Sequence, residues 1–270
     1  MYRYKIIGRS NIGDKIQFYL AGDNRFCEDC NNPDIIFLVG SKESVMEFDI
    51  EDYPNAKIVD VSSHKRLISS TNFVDSGNNV LYGIPHITKD YPNYNYIANP
   101  GCSAIGSITA LTPIINELTS NIILDVKFSK SSLTRRSSFN DKIGIMNVVH
   151  PYTHTHQKEV NYYFGNTHNI KMIPSIIDVP GGTSINIHGF KKNKDDNLLN
   201  AIYQFYRDND NIIVSEDIIP EIKDVLNNDK ILIYVKEDEN NIFINVVLDN
   251  LTIGGAYTAY LNAINILKGE

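Results

Sequence analysis

The chain has 270 residues, 42 % hydrophobic and 21 % charged, with a formal net charge of −7. That length suffices for one large domain or two modest ones, and the negative balance argues against a nucleic-acid binder. No run approaches the roughly 18 apolar residues of a membrane span, Met1-Tyr2-Arg3-Tyr4-Lys5 carries no signal-peptide pattern, and three cysteines do not describe a disulfide framework, so the expected compartment is the cytoplasm.

Residues 3–8 read as a short buried strand ending in glycine, and residues 12–20 as a helix with Ile12, Ile16, Phe18 and Leu20 at helical spacing. Residues 34–39 are a continuous apolar run closed by Gly40, as in a parallel strand covered on both faces. Residues 57–61 repeat the design, and 95–98 supply another short strand. Strand, crossover and strand in this order predict an α/β parallel sheet. After residue 120 the strands lengthen: 121–128, 143–149, 169–178, 183–189, 230–236 and 241–249. Helices are expected at 155–164, 194–208 and 251–268. Longer strands with fewer crossovers predict a mixed sheet with helices on one face. The expected organisation is a nucleotide-type domain of residues 1–101 with 251–270, and an α+β domain of residues 102–250.

The chemistry is densest at Asn99-Pro100-Gly101-Cys102-Ser103. Asn-Pro-Gly is turn chemistry, and residues 103–118 then show helical apolar spacing. Cys102 falls in the first turn of that helix, where unpaired N–H groups and the dipole favour a thiolate. The same N–H groups suit an oxyanion. The plainer alternative is a small buried cysteine at a helix start. A thiolate wants an acid/base partner, and His150, His154 and His156 cluster in one stretch. A helix starting near His154 puts His156 and Glu159 one turn apart. Solvated histidines at a polar helix start are the alternative; zinc lacks the further ligands it needs, so no metal is expected. Cys27-Glu28-Asp29-Cys30 has no second pair to complete a metal site and reads as two loop cysteines.

Tyr82-Gly83-Ile84-Pro85, Asn99-Pro100-Gly101-Cys102 and His154-x-His156-x-x-Glu159 together resemble the N-acetyl-γ-glutamyl-phosphate reductases, of the wider aspartate-semialdehyde dehydrogenase superfamily. Asp60-Val61-Ser62-Ser63-His64-Lys65-Arg66-Leu67 and Asp249-Asn250-Leu251-Thr252-Ile253-Gly254 are similar to two further family motifs, in register. Asp125-Val126-Lys127 with Ser131-Ser132 resembles the branch whose substrates hang on a small acidic amino-group carrier protein of the LysW type. The resemblance implies an abbreviated Rossmann-type N-terminal domain and an α+β catalytic and dimerisation domain. It implies NADPH-dependent reduction of an acyl phosphate, glutamyl or aminoadipyl, to the semialdehyde in lysine or arginine biosynthesis. Cys102 would be the nucleophile and His154 the acid/base. Arg66, Asn99, Tyr152, His156 and Arg135 would hold substrate. Gly8, Ser10, Asn11, Gly13, Asn250 and Gly254 would hold NADP. A homodimer or homotetramer is expected, and the basic clusters Lys65–Arg66, Arg135–Arg136 and Lys191–Lys192 would face the carrier.

Several family features are altered. The first turn is Gly8-Arg9-Ser10-Asn11-Ile12-Gly13, one residue and the middle glycine short of the family's Gly-x-x-Gly-x-x-Gly. In the family, the interval here held by Ala21 to Pro33 carries another strand, a helix and further structure shaping the adenosine pocket; that piece is expected to be missing. Two other classes therefore stay open: a non-redox carrier-binding or regulatory relative, and a cysteine–histidine hydrolase or acyltransferase on the same scaffold.

Overall fold

The computed structural model describes residues 1–40, 45, 48–62, 80–89, 91–133, 144 and 146–268. The chain divides into two compact units, Met1–Gly101 with Gly255–Glu270, and Cys102–Gly254. The second crossing therefore falls four residues beyond the expected 250/251 boundary. The first unit contains β1 (Tyr2–Ile7), α1 (Asn11–Ala21), β2 (Phe26–Glu28), β3 (Ile35–Leu38), β4 (Lys57–Asp60), β5 (Val80–Tyr82) and β6 (Tyr96–Ala98). The chain enters the second unit with α2 (Cys102–Leu111), β7 (Asn121–Phe128), β8 (Met146–Val148), α3 (Thr155–Tyr163) and β9 (Asn169–Ile177). It continues through β10 (Thr183–Phe190), α4 (Leu198–Tyr206), β11 (Ile212–Ser215), β12 (Ile231–Glu237) and β13 (Asn241–Leu248). A π-helical stretch, Thr252–Ala256, then leads to α5 (Tyr257–Leu267) of the first unit.

The first sheet is parallel throughout, in the order β2-β1-β3-β4-β6-β5. All four β3 residues are buried, because α1 and α5 cover one face through Ile16, Leu20, Ala259 and Ala263. Ile36, Leu38 and Ile58 fill the opposite face with Val45. The strand order reverses at β1 and β3, the place where such sheets bind ligands at the strand carboxyl ends. The strand expected to be missing between α1 and β3 is present as three-residue β2, parallel to β1. The family's helix is missing from this interval, as expected: residues 29–34 form bends, held by the Asp29 carboxylate, which accepts from Asn31 and Asn32 N–H.

The second sheet is mixed, in the order β11-β12-β13-β10-β7-β9-β8. Alternation is legible in β7, where Ile122, Leu124, Val126 and Phe128 are buried and the intervening residues are not. α2 packs on β10 and β13, α3 on β9, and α4 on β11 and β12. The helix predicted over 103–118 ends at Leu111, because Pro113 cannot continue it and biases the residue before it away from helix. The helices predicted over 194–208 and 251–268 shorten to 198–206 and 257–267. No helix among the described residues is long and apolar enough to cross a membrane.

One buried amide ties the first unit together. Asn262 on α5 is fully buried; it accepts from the Tyr91 hydroxyl at 2.5 Å and donates to Gly83 O at 3.0 Å and Asn99 Oδ1 at 2.9 Å. Gly83 cannot carry a side chain there, since its Cβ would lie 2.6 Å from Asn262 Oδ1. Removing the amide strands buried polar groups, which costs about 1–3 kcal/mol for each one left unsatisfied. Asn262→Ala is expected to lower the unfolding free energy by about 2–4 kcal/mol in urea denaturation; a loss below about 1 kcal/mol would show that water replaces it.

Candidate active site

Cys102 is the first residue of α2 and is partly exposed. The sequence favours this start because Asn99-Pro100-Gly101 turns the chain out of β6 and apolar residues at helical spacing follow. Asn99 is fully buried in the first unit, with its oxygen taken by Asn262 and its NH2 directed at the Pro100 and Gly255 carbonyls at 3.5 Å. It therefore braces the strand end, whatever it does toward a substrate.

The Cys102 sulfur accepts from the Thr183 hydroxyl at 3.9 Å. Thr183 opens β10 and is fully buried. Behind the cysteine lies Gly254, whose missing Cβ would sit 2.7 Å from Cys102 Cβ. The motif Asp249-Asn250 makes this approach. The Asp249 carboxylate accepts from Leu251, Thr252 and Asn227 N–H, and Gly254 N–H donates to Asp249 O. Asn250 Oδ1 accepts from Gly182 N–H at 2.8 Å and from Ser131 Oγ at 3.0 Å, while its NH2 donates to Ser132 Oγ at 3.2 Å. Asn250 and Gly254, expected at a cofactor, lie by these contacts in the frame around Cys102.

The next residue, Ser103, is fully buried and places its hydroxyl 2.7 Å from His156 Nδ1. His156 lies in the first turn of α3, and its Nε2 is 4.0 Å from Oε1 of Glu159, a carboxylate 2 % exposed. His154 is the N-cap of the same helix; its Nδ1 accepts from His156 N–H at 3.2 Å. The two imidazoles meet edge to face at 4.7 Å, and His154 stacks on Phe128 at 5.2 Å. Phe128 pairs across the ladder with Thr183, which closes the circuit back to the sulfur.

The loop before α3 is strained into place. His150 and Tyr152 have φ of 49° and 62°, in the left-handed region that costs a residue with a Cβ on the order of 1 kcal/mol. Val149 N–H donates to Pro174 O and Tyr152 N–H to Met172 O, and Gln157 ties Tyr152 O to Met172 N–H. The Tyr152 side chain is half exposed.

The structure therefore brings Cys102, His154, His156, Asn250 and Gly254 together in the second unit. Gly8, Ser10, Asn11, Gly13 and Asn99 lie in the first. Arg66, Arg135 and Arg136 lie outside the described residues. Sequence reasoning passed over Ser103, Thr183 and Phe128. Ser103 had a signal, as the neighbour of Cys102; Thr183 had only its place after Gly181-Gly182. Cys27 is partly buried on β2 and Cys30 is exposed.

The family profile described as semialdehyde dehydrogenase, dimerisation domain, matches residues 102–250. The chain belongs to the semialdehyde dehydrogenase family. An N-acetyl-gamma-glutamyl-phosphate reductase of Campylobacter hominis is 29 % identical over 258 residues, covering 88 % of this chain and 76 % of the relative. A putative [LysW]-L-2-aminoadipate/[LysW]-L-glutamate phosphate reductase of Pyrococcus horikoshii is 30 % identical, covering 94 % and 82 %. Among solved structures, aspartate semialdehyde dehydrogenase II of Vibrio cholerae superposes with TM-score 0.77 at 16 % identity, covering 99 % of both chains. Aspartate semialdehyde dehydrogenase with NADP from Candida albicans superposes with TM-score 0.75 at 12 % identity, covering 100 % of this chain and 99 % of that one. The Rossmann-type sheet followed by a mixed-sheet domain is thus the fold of this family.

The first unit fits a dinucleotide at its first turn. Gly8 has φ 97°, a conformation glycine permits. Gly13 lets α1 approach β3, since a Cβ there would lie 2.8 Å from Val39 Cγ2. These are two of the three tasks of glycine in such turns. The third position has a side chain instead: Ser10 caps α1 by accepting from Gly13 N–H at 3.1 Å. Asp14 adds a negative charge in the first helical turn, which opposes a diphosphate at that helix end.

Thr183 offers a direct check on the cysteine's surroundings. A hydroxyl donor to sulfur at this distance contributes about 1 kcal/mol, roughly fivefold. Thr183→Val is expected to slow Cys102 alkylation by iodoacetamide at pH 7 about fivefold, with Thr183→Ser close to the parent. Equal rates in all three proteins would remove Thr183 from the site.

Proposed function

We propose that this protein reduces an acyl phosphate to an aldehyde through a thioester on Cys102, with NADPH as the reductant. The observation that carries the reading is the sulfur at the first turn of α2, with the Thr183 hydroxyl on it and, at the next residue, Ser103 on His156, which in turn meets His154. The helix N-terminus and the hydroxyl both favour thiolate over thiol. Cys102 attacks the acyl carbon, the carbon–oxygen bond to phosphate breaks, and inorganic phosphate leaves. The N–H groups of the first turn of α2 face the oxyanion that forms. A reduced nicotinamide, when bound, supplies the hydride that turns the thioester into the aldehyde oxidation level. Gly8, Ser10, Asn11 and Gly13 would hold its diphosphate. The carbon–sulfur bond then breaks, and the thiolate returns to its place beside Thr183. The histidine pair moves the protons; the family resemblance gives that task to His154 and substrate positioning to His156, with Arg66, Arg135 and Tyr152 on the substrate's charged groups.

The substrate class follows from relatives named for N-acetyl-γ-glutamyl phosphate and for LysW-linked aminoadipate or glutamate. We assign the chain to lysine or arginine biosynthesis in the cytoplasm, on a carrier-linked substrate, acting as a dimer or tetramer through the second unit. Purified protein given acyl phosphate should oxidise NADPH in step with phosphate release. Cys102→Ala should lower that rate at least about 10³-fold while leaving the melting temperature in place. Phosphate release without NADPH oxidation would mark a hydrolase on this scaffold instead.

A further inference from the structure

Three serines of the second unit, Ser129, Ser131 and Ser132, gather round the Asn250 amide, and the hydrogen bonds among them leave one hydroxyl proton directed outward. Resting on the reaction proposed above, we infer that the Ser132 hydroxyl donates to the phosphoryl oxygens of the acyl phosphate. Asn250 is the residue that positions it.

A backbone N–H can only donate, so the Asn250 atom that meets Gly182 N–H at 2.8 Å is the amide oxygen. The same oxygen accepts from Ser131 Oγ at 3.0 Å, and Ser131 Oγ lies 2.9 Å from Ser129 Oγ. Whichever of these two serines donates to the other, both protons are spent on each other and on the amide oxygen. With its oxygen so placed, Asn250 turns its NH2 the other way, and that group donates to Ser132 Oγ at 3.2 Å. A hydroxyl oxygen that receives a proton on one lone pair directs its own O–H elsewhere. Among the described residues the Ser132 hydroxyl has no partner but Asn250. Burial grades outward along the row: Ser129 is fully buried, Ser131 half-buried and Ser132 exposed.

That outward donor stands on the frame that carries Cys102. β7 ends at Phe128, whose rung partner is Thr183, and Ser129 N–H donates to Gly182 O at 3.3 Å. Thr183 in turn places its hydroxyl on the Cys102 sulfur. One side chain, Asn250, thus joins the residue before Thr183 to the serine at the rim. Lys130, in the same loop, is taken up by Asp178 at 2.6 Å, a carboxylate that also accepts from Gly144 N–H. The donor that remains is a neutral hydroxyl. As the carbon–oxygen bond to phosphate breaks, negative charge grows on the phosphoryl oxygens, and a hydrogen bond to a charged acceptor is the stronger kind. Ser132 keeps its proton throughout and leaves with the enzyme, so the phosphate departs as the anion.

Inorganic phosphate reads this contact without turnover. Alkylation of Cys102 by iodoacetamide is followed as phosphate is raised, in the full chain and its variants, with chloride matching the ionic strength. Phosphate should protect the parent. Ser132→Ala should need about tenfold more phosphate for the same protection, the scale of a hydrogen bond to a charged acceptor. Ser132→Thr, which keeps the hydroxyl, should recover most of the affinity. Asn250→Asp can still hold Gly182 N–H but cannot donate, so it should lose protection too, and adding Ser132→Ala to it should cost little more. Additive losses would remove the positioning role of Asn250. Protection of Ser132→Ala at the parent's phosphate concentration, or no protection of the parent at any concentration, overturns the inference. So does a loss of NADPH affinity in Ser132→Ala with phosphate protection intact, which would put the hydroxyl on the cofactor's phosphates. If protection falls as expected but acyl phosphate never drives NADPH oxidation, the proposed reaction fails while the phosphate contact stands.

Discussion

The closeness of Gly254 to Cys102 is the constraint on which the rest of the site depends. A methyl group at 254 would lie 2.7 Å from Cys102 Cβ, so only glycine lets the chain after β13 lie against the start of α2. Asp249 holds that backbone by two of its N–H groups and accepts a third from Asn227, and Asn250 ties the same turn to the loop after β7 and to Gly182. Thr183 follows Gly182 directly. One hydrogen-bonded frame thus sets the thiol's rear wall, its hydroxyl donor and, through Phe128, the stacking surface for His154. Rigid support of this kind keeps catalytic groups in productive geometry.

Charge is placed sparingly around the sulfur. The named contacts of Cys102 and Ser103 are hydroxyl, imidazole and the positive end of a helix, and the carboxylate of Glu159 is one imidazole removed. A carboxylate beside the sulfur would raise the thiol's pKa by like-charge repulsion.

Much of this was legible in the sequence, and the residues show why the remainder was not. The apolar run at 35–38 and the alternation at 121–128 have enough length to declare their periods. Strands β2, β5 and β11 do not: three or four residues such as Phe26-Cys27-Glu28 cannot show a repeat, and their identity as strands comes from the ladder beside them. The motif at 249–254 could be matched but not interpreted, because its work lies in backbone contacts to Cys102 and Gly182, far off in the chain. Thr183 was invisible for the same reason. Pro113 could have set the end of α2, where spacing alone carried the helix to residue 118.

The first unit keeps the glycine tasks that shape a dinucleotide turn while the crossover from β2 to β3 has contracted to a hydrogen-bonded turn. A chain can shed adenosine-side structure and keep the chemistry, provided the acyl-cysteine forms and is discharged by hydride. Intact-mass measurement on that species tests the account most directly. Protein mixed with acyl phosphate in the absence of reductant should gain one acyl group, confined to Cys102, and adding NADPH should remove it with release of aldehyde. An adduct absent from Cys102, or one that leaves only as free acid whether or not NADPH is present, would contradict the account.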